Sequence, residues 1–241
     1  MVMKIYAAGS LKRPLIELSA IYDRGRESSI DLTFGASGLL RRRLENGDAA
    51  DLFVSADKAN AQQLIESGHA SGAMVFATNE LCALTLSTLG CTSDTLLDHM
   101  LDPDVRVGSS TPRLDPSGDY ADYAFWHAET LRKGAYETLR NKVQILTGGG
   151  EAVKAPTGRY TYTWIMEQGL ADIFLTYRTN ATRVQEECQC VTVVPLPPEL
   201  AVKARYTIAG MKHANPRTHE FIDLLMSDSG RQTLKSFGFG V

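Results

Sequence analysis

Residues 30–40 read Ile-Asp-Leu-Thr-Phe-Gly-Ala-Ser-Gly-Leu-Leu and place a strand, a turn of small residues and a helix start in immediate succession. The largely apolar run over 30–34 predicts a strand. Ser37 is typical of a helix start, and the predicted helix over 38–45 is broken by Asn46-Gly47-Asp48. A strand that leads through a short turn into a helix is the repeating unit of α/β proteins.

The same junction recurs twice along the chain. Gly9-Ser10 follows a predicted strand over 4–8, and Ser10 is expected to cap a helix over 11–24. Ser117-Gly118 lies in a turn that leads into a predicted helix over 120–133. A helix N-terminus offers unpaired N–H groups and the positive end of the dipole, and a serine hydroxyl adds a donor. Each serine alone reads as a helix cap, but three such junctions together indicate an anion site.

Strands and helices alternate almost throughout. Strands are predicted over 4–8, 30–34, 52–55, 76–86, 105–109, 171–176, 191–194 and 204–209. Helices are predicted over 11–24, 38–45, 58–67, 93–101, 120–133, 136–141, 159–168, 216–226 and 229–237. We expect the long strand over 76–86 to carry the chain out of a first lobe, and the proline-rich segment 195–198 to bring it back. We therefore predict a first lobe from 1–80 and 198–241, and a second lobe from 81–197.

Composition and hydropathy argue against a nucleic-acid-binding protein and against a membrane-spanning protein. The chain has 241 residues, 44% of them hydrophobic, and a formal net charge of −3, so a nucleic-acid partner is not expected. No apolar run approaches the length of a membrane span. The N-terminus enters a strand-like run without an apolar leader, which fits either a cytoplasmic protein or a mature form with an added start Met.

Four cysteines leave the redox state open. Cys82 and Cys91 flank a strand-and-turn segment, and either a disulfide between them or two free thiols fits the sequence. Cys188 and Cys190 are expected to alternate faces on a strand, which disfavours a bond between them. Without a Cys-x-x-Cys pair and with scattered histidines, a structural zinc site is not expected.

Six longer segments of the sequence are informative when they are taken together. They are Ala7-Ala8-Gly9-Ser10-Leu11, Thr33-Phe34-Gly35-Ala36-Ser37-Gly38, residues 45–57 (Glu-Asn-Gly-Asp-Ala-Ala-Asp-Leu-Phe-Val-Ser-Ala-Asp), Phe76-Ala77-Thr78-Asn79, residues 115–121 (Asp-Pro-Ser-Gly-Asp-Tyr-Ala) and Thr176-Tyr177. In this order they resemble the molybdate-binding proteins of ABC importers, which have a type II periplasmic binding-protein fold. The match is strong over roughly the first third of the chain and patchy but collinear beyond it.

The resemblance implies an α/β fold of two lobes, each a mixed, mainly parallel sheet with flanking helices, around a central cleft. It implies that Ser10 and Ser37 grip a tetrahedral oxyanion from the first lobe. Ser117 matches a turn that donates a backbone N–H, and Tyr177 a tyrosine whose hydroxyl reaches the ligand. Arg159 falls where the family usually has an apolar residue that donates its backbone N–H.

The resemblance also implies the activity: capture of molybdate or tungstate by lobe closure outside the cytoplasm and delivery to a membrane permease, by a monomer without a cofactor or a bare metal ion. A site made only of donors favours anions that carry no proton. If the Arg159 side chain enters the cleft, sulfate or a small organic anion becomes the alternative ligand. A standalone oxyanion sensor is a further alternative.

An enzyme is not expected. Ser55-Ala56-Asp57-Lys58 fits Ser-x-x-Lys, but the companion Lys-Thr-Gly is missing, and no Gly-x-Ser-x-Gly elbow is present. The run Gly148-Gly149-Gly150 lacks the Gly-Lys-Ser/Thr of a phosphate loop.

Overall fold

A computed structural model of the chain describes residues 2–25 and 29–241. The chain divides into two compact units. Unit 1 comprises Met1–Asn79 and Ala204–Val241, and unit 2 comprises Glu80–Lys203. Unit 2 is therefore continuous in sequence, whereas unit 1 is completed by the last segment of the chain.

Unit 1 is a sheet with helices beside it. Its elements are β1 (Met3–Ala8), α1 (Lys12–Asp23), β2 (Ile30–Gly35), α2 (Ser37–Glu45), β3 (Leu52–Ser55), α3 (Ala59–Glu66), the first part of β4 (Ala70–Leu86), nearly all of β9 (Lys203–Met211), α9 (Thr218–Met226) and α10 (Asp228–Ser236). β1 pairs in parallel with β2 and β3, and β9 runs antiparallel to β3. Because β1, β2 and β3 are parallel, their carboxyl ends meet at one edge of the sheet.

Both faces of this sheet are covered by apolar side chains. Tyr6 and Phe53 pack with α2 and α3 through Leu40, Leu44 and Leu64. In α1, the buried positions Leu15, Leu18, Ser19 and Tyr22 follow helical spacing, and the Tyr22 ring meets Phe221 of α9 edge-on at 5.7 Å. β1 and β3 are largely buried, as expected for parallel strands covered on both faces, whereas β2 at the edge of the sheet is only half-buried.

Unit 2 has a second, mixed sheet. Its elements are the rest of β4, α4 (Leu96–Leu101), β5 (Val107–Ser110), α5 (Pro116–Leu131), α6 (Ala135–Lys142), β6 (Gln144–Thr147), α7 (Thr161–Glu167), β7 (Ile173–Tyr177), α8 (Arg178–Glu187) and β8 (Val191–Pro195). β5 pairs in parallel with β6 and β7, while β4 runs antiparallel to β7 and β8. The carboxyl ends of β5, β6 and β7 therefore share an edge, at Ser110, Thr147 and Tyr177.

Two elements of unit 2 were not predicted from the sequence. In α8 the only apolar buried residues are Ala181 and Val184, so its apolar face is too sparse to reveal a helical period. β6 has four residues, of which only Thr147 is buried, as is common for a strand at the edge of a sheet. In both cases neighbouring elements, rather than local pattern, fix the structure.

Several predicted element ends were wrong. β4 begins at Ala70, six residues before the predicted start at residue 76. α5 begins at Pro116 rather than near residue 120, because Asp115 caps the helix and proline suits its first position. α7 begins at Thr161, so Arg159 precedes the helix instead of opening it.

The cysteine prediction also needs correction. Cys188 and Cys190 form a disulfide, with their Cα atoms 5.4 Å apart. The alternation argument failed because both residues lie in the turn between α8 and β8, not on a strand. Cys82 and Cys91 are both buried and unbridged, and burial raises the pKa of Cys82 to about 12.

Across the described ranges, none of the helices combines the length and the apolar character required to cross a bilayer.

Candidate functional site

Ser10 and Ser37 occupy equivalent positions on neighbouring strands of unit 1. Ala8 at the end of β1 pairs with Gly35 at the end of β2. Each serine lies two residues beyond its member of that pair, so the parallel register carries both serines past the same edge of the sheet. This is the edge at which α/β sheets bind ligands.

The Ser10 hydroxyl is held by an aromatic side chain of β9. Ser10 lies in a short 3-10 helix, Gly9–Leu11. The prediction that Ser10 caps α1 was wrong, because Leu11 occupies the N-cap position. Its Oγ lies 2.7 Å from Oη of Tyr206, which also accepts a hydrogen bond from Asn79 Nδ2 at 3.4 Å. Phe76 and Phe239 meet the Tyr206 ring edge-on and fix its position.

Ser37 is the first residue of α2 and is 1% exposed. Its Oγ accepts a hydrogen bond from the backbone N–H of Ala56 at 3.1 Å, immediately after β3. With one lone pair occupied in this way, the hydroxyl hydrogen is left to donate in another direction. The contact therefore orients the Ser37 hydroxyl as a donor.

Ser117 lies in the first turn of α5, which is capped by Asp115. Its backbone N–H donates to Asp115 Oδ1 at 3.1 Å, and the N–H of Gly118 donates to the Asp115 carbonyl at 2.9 Å. The backbone N–H of Ser117, which the resemblance assigns to a ligand, therefore donates to the capping side chain of Asp115 instead. The Ser117 hydroxyl is different: it is 1% exposed and has no hydrogen-bond partner among the described residues.

A buried hydroxyl outside any hydrogen bond is costly, so in a native protein it calls for an explanation such as a bound water, a bound ion or a functional role. Gly118 brings this turn against β5, since a Cβ at Gly118 would lie 2.4 Å from the carbonyl oxygen of Ser110.

A cluster of hydroxyl groups surrounds Asp115 at the carboxyl edge of the unit 2 sheet. Ser110 Oγ donates to Asp115 Oδ2 at 3.0 Å and also contacts the Thr147 hydroxyl. Tyr162 lies against the same groups, since the hydroxyls of Thr176, Thr147 and Ser110 lower its pKa. Burial of the Tyr162 hydroxyl outweighs them and, with the Asp115 charge, raises its pKa to about 12.

We refer to Ser110, Asp115, Thr147, Tyr162 and Thr176 as the hydroxyl cluster. Sequence reasoning missed it: of its hydroxyl residues only Thr176 ends a predicted strand, since the predicted strand over 105–109 stops before Ser110 and no strand was predicted at Thr147.

Tyr177 ends β7 and caps α8. It is 2% exposed, and its ring meets Tyr120 of α5 edge-on at 6.3 Å. Nearby, Tyr160 donates to Asn180 Oδ1 at 3.0 Å, and Asn180 donates to Thr176 Oγ1 at 3.1 Å, so the start of α8 is joined to the hydroxyl cluster.

The guanidinium and the backbone N–H of Arg159 both have partners within the chain. Its guanidinium forms an ion pair with Glu167, lies 5.7 Å from the Trp164 ring centroid and leaves the side chain 44% exposed. Its backbone N–H donates to the Pro156 carbonyl at 3.0 Å, because the residue lies in a turn before α7. The predicted donor of Arg159 is thus used inside the chain.

The serine of the Ser-x-x-Lys pattern has a structural partner. Ser55 Oγ donates to Asp57 Oδ1 at 2.8 Å, and the two Asp57 oxygens also accept from the backbone and side-chain nitrogens of Asn60. These contacts shape the turn between β3 and α3 instead of pairing a nucleophile with a lysine.

Comparison with known proteins gives the class. The model of the family described as bacterial extracellular solute-binding protein matches residues 3–240. The chain belongs to this family: it is an extracellular solute-binding protein of the ABC-transport type and not an enzyme.

Two individual relatives match nearly the whole length of the chain. The chain is 32% identical to Uncharacterized protein PM1146 of Pasteurella multocida (strain Pm70), over 98% of both chains. It is 24% identical to Molybdate-binding protein ModA of Haemophilus influenzae, over 98% of this chain and 88% of that protein.

Among solved structures, the sulfate-binding protein SubI of Mycobacterium tuberculosis H37Rv matches with a TM-score of 0.80 and 16% identity, over 99% of this chain and 86% of that one. The Azotobacter vinelandii periplasmic molybdate-binding protein matches with a TM-score of 0.77 and 16% identity, over 99% of both. These structural matches confirm the predicted α/β periplasmic binding-protein fold.

Proposed function

We propose that this protein captures a small tetrahedral oxyanion outside the cytoplasm for an ABC importer. The observation that carries the proposal is Ser117, whose buried hydroxyl has no hydrogen-bond partner among the residues that the structure describes and lies in the first turn of a 16-residue helix. Such a position offers a hydrogen-bond donor together with the positive end of a helix dipole, which suits an anion.

The proposed ligand contacts are Ser10, Ser37, Ser117 and Tyr177. The equivalent positions of Ser10 and Ser37 beyond paired strands support the unit 1 contacts. Arg159 is a less favoured contact than its sequence position suggests, since Glu167 and Pro156 engage its charge and its N–H.

Molybdate and tungstate are the first ligands to test. The sequence strings resemble molybdate-binding proteins, and named relatives include molybdate-binding ModA of Haemophilus influenzae. Sulfate is the principal alternative, since SubI of similar fold is named for sulfate. The partners proposed are this small anion and a membrane permease.

A periplasmic or extracytoplasmic location is proposed with this function. The family description is extracellular, and disulfides such as Cys188–Cys190 form and persist in oxidising compartments. The protein is expected to work as a monomer.

The test is a thermal-shift panel with molybdate, tungstate, sulfate, phosphate and small carboxylates. A ligand at 100 times its Kd stabilises the folded state by about 2.7 kcal/mol, which raises Tm by several degrees. A shift with one or more tetrahedral oxyanions is expected. No shift with any of them, or a shift with carboxylates alone, would contradict the proposal.

The variant Ser117→Ala tests whether the Ser117 hydroxyl contributes to the ligand-induced shift in Tm. Because Ser117 Oγ has no partner in the described chain, its loss should leave the Tm of the ligand-free protein nearly unchanged while reducing the ligand-induced shift. Ser19→Ala is the matched control, since it removes a buried serine of α1 whose Oγ donates to the Ile16 carbonyl at 2.9 Å. The control should retain the full ligand-induced shift.

A further inference from the structure

The hydroxyl cluster contains one carboxylate, and its position is unusual for an anion site. Asp115 accepts the Ser117 N–H on Oδ1 and the Ser110 hydroxyl on Oδ2. Its negative charge therefore lies at the N-terminus of α5, where the helix dipole would otherwise attract the ligand. Because Asp115 Oδ1 lies 3.1 Å from the Ser117 backbone nitrogen, an oxyanion bound by the Ser117 hydroxyl would lie beside this carboxylate.

A helix cap alone does not account for these surroundings. Capping needs only the bond from the Ser117 N–H, whereas the second carboxylate oxygen is held by Ser110 at the end of β5. Gly148 has φ +79°, and a Cβ there would lie 2.6 Å from the Asp115 Cβ. A glycine is thus needed to make room for the Asp115 side chain, near the buried Ser117 hydroxyl, for which residues 2–25 and 29–241 provide no hydrogen-bond partner.

A carboxylate changes which anion is favoured. Hydroxyl and N–H donors stabilise every oxyanion oxygen, but a carboxylate accepts hydrogen bonds and repels a second negative charge. An anion that retains one proton can use its O–H group to donate a hydrogen bond to the carboxylate. An anion without a proton leaves the repulsion uncompensated.

We propose that Asp115 is a specificity-determining residue that makes this protein prefer a tetrahedral oxyanion carrying one proton, such as hydrogen phosphate, over fully deprotonated molybdate, tungstate or sulfate. The inference rests on the proposed oxyanion function and narrows its ligand class. It reverses the preference expected for a site built only of donors.

The experiment is isothermal titration of the full chain at pH 7 with inorganic phosphate, sulfate and molybdate. The wild type is expected to bind phosphate tighter than sulfate or molybdate. Asp115→Asn keeps an effective N-cap but removes the charge. It should lower the ratio of phosphate affinity to sulfate affinity at least tenfold.

Asp119→Asn is the matched control. It removes one negative charge from the same turn of α5, where Asp119 accepts from the Arg113 N–H at 2.8 Å and is not part of the hydroxyl cluster. The control should leave the affinity ratio unchanged. Asp115→Ser, another neutral cap, provides a second variant should Asp115→Asn fold poorly.

The outcomes separate the two proposals. Wild-type binding of molybdate or sulfate as tight as that of phosphate would overturn the Asp115 inference and leave the oxyanion function standing. An equal loss of affinity for every anion in Asp115→Asn would mean that Asp115 acts only as a helix cap. That result would also overturn the Asp115 inference. Absence of binding by all three anions would contradict the oxyanion function and the inference together.

Discussion

At the scale of single residues, three serines with the same sequence context have different surroundings. Ser10 is bonded to Tyr206, Ser37 accepts from Ala56, and the Ser117 hydroxyl is buried without a partner in the described chain. The sequence correctly identified the strand–helix junctions at which they lie. Their partners depend on which strands pair, which local pattern does not contain.

The hydroxyl cluster illustrates the same limit. Ser110 and Thr147 meet only because β5 and β6 pair in parallel, and Tyr162 joins them from α7. Nothing in the spacing of these residues along the chain predicts that contact. The role of Asp115 was likewise hidden within the turn assigned to Ser117.

Arg159→Ala tests whether the departure from the family pattern matters. Because the guanidinium is paired with Glu167 and 44% exposed, its loss should change oxyanion affinity by less than about 0.5 kcal/mol. Titration of the variant with the anion that stabilises the wild type provides the measurement. A tenfold or greater loss of affinity would show that the Arg159 side chain contacts the ligand. The comparison is Arg183→Ala, which removes an ion pair with Glu187.

At the scale of elements, the turn between β5 and α5 is fixed by close backbone contact. The structure places the N-terminus of α5 against the end of β5, and a glycine permits this approach. Helices with a clear apolar period, such as α1 and α10, were predicted within a few residues. The start of α5 was missed because its cap and its first-turn proline lie before the apolar pattern begins.

Gly118→Ala should destabilise the protein through this contact. The new Cβ would lie 2.4 Å from the Ser110 carbonyl and 2.7 Å from the carbonyl carbon of Thr111, so backbone has to move. We expect a loss of about 1–3 kcal/mol in the free energy of unfolding, measured by urea denaturation.

The comparison is Gly9→Ala, because a Cβ at Gly9 has nothing within 4 Å and its φ is not positive. That variant should be nearly neutral. Equal stability of the two variants would mean that the β5–α5 turn relaxes freely.

At the scale of the whole molecule, the chain builds one unit from a continuous segment and the other from two. Unit 2 has its own core, made of buried side chains between Leu81 and Leu200. Unit 1 depends on its last segment, since β3 pairs with β9 and α1 packs on α9. The alternation of strands and helices predicted two α/β lobes, and family-level comparison confirms the fold class.

A fragment of residues 80–203 should therefore fold by itself, whereas residues 1–79 should not. The first retains the apolar core of unit 2, and the second lacks β9, α9 and α10. Circular dichroism melts of the two fragments provide the measurement, with the full chain as reference. A cooperative transition in 1–79, or none in 80–203, would contradict this division of stability.

The Cys188–Cys190 bond closes a loop of only three residues, so it constrains the unfolded chain very little. Its main chemical consequence is to keep two surface thiols out of reach. Once reduced, the half-buried Cys188 and the exposed Cys190 become soft sulfur ligands one residue apart. A preparation stored with a reductant therefore acquires a dithiol that can chelate stray zinc or copper, and binding assays on this protein belong in thiol-free buffer.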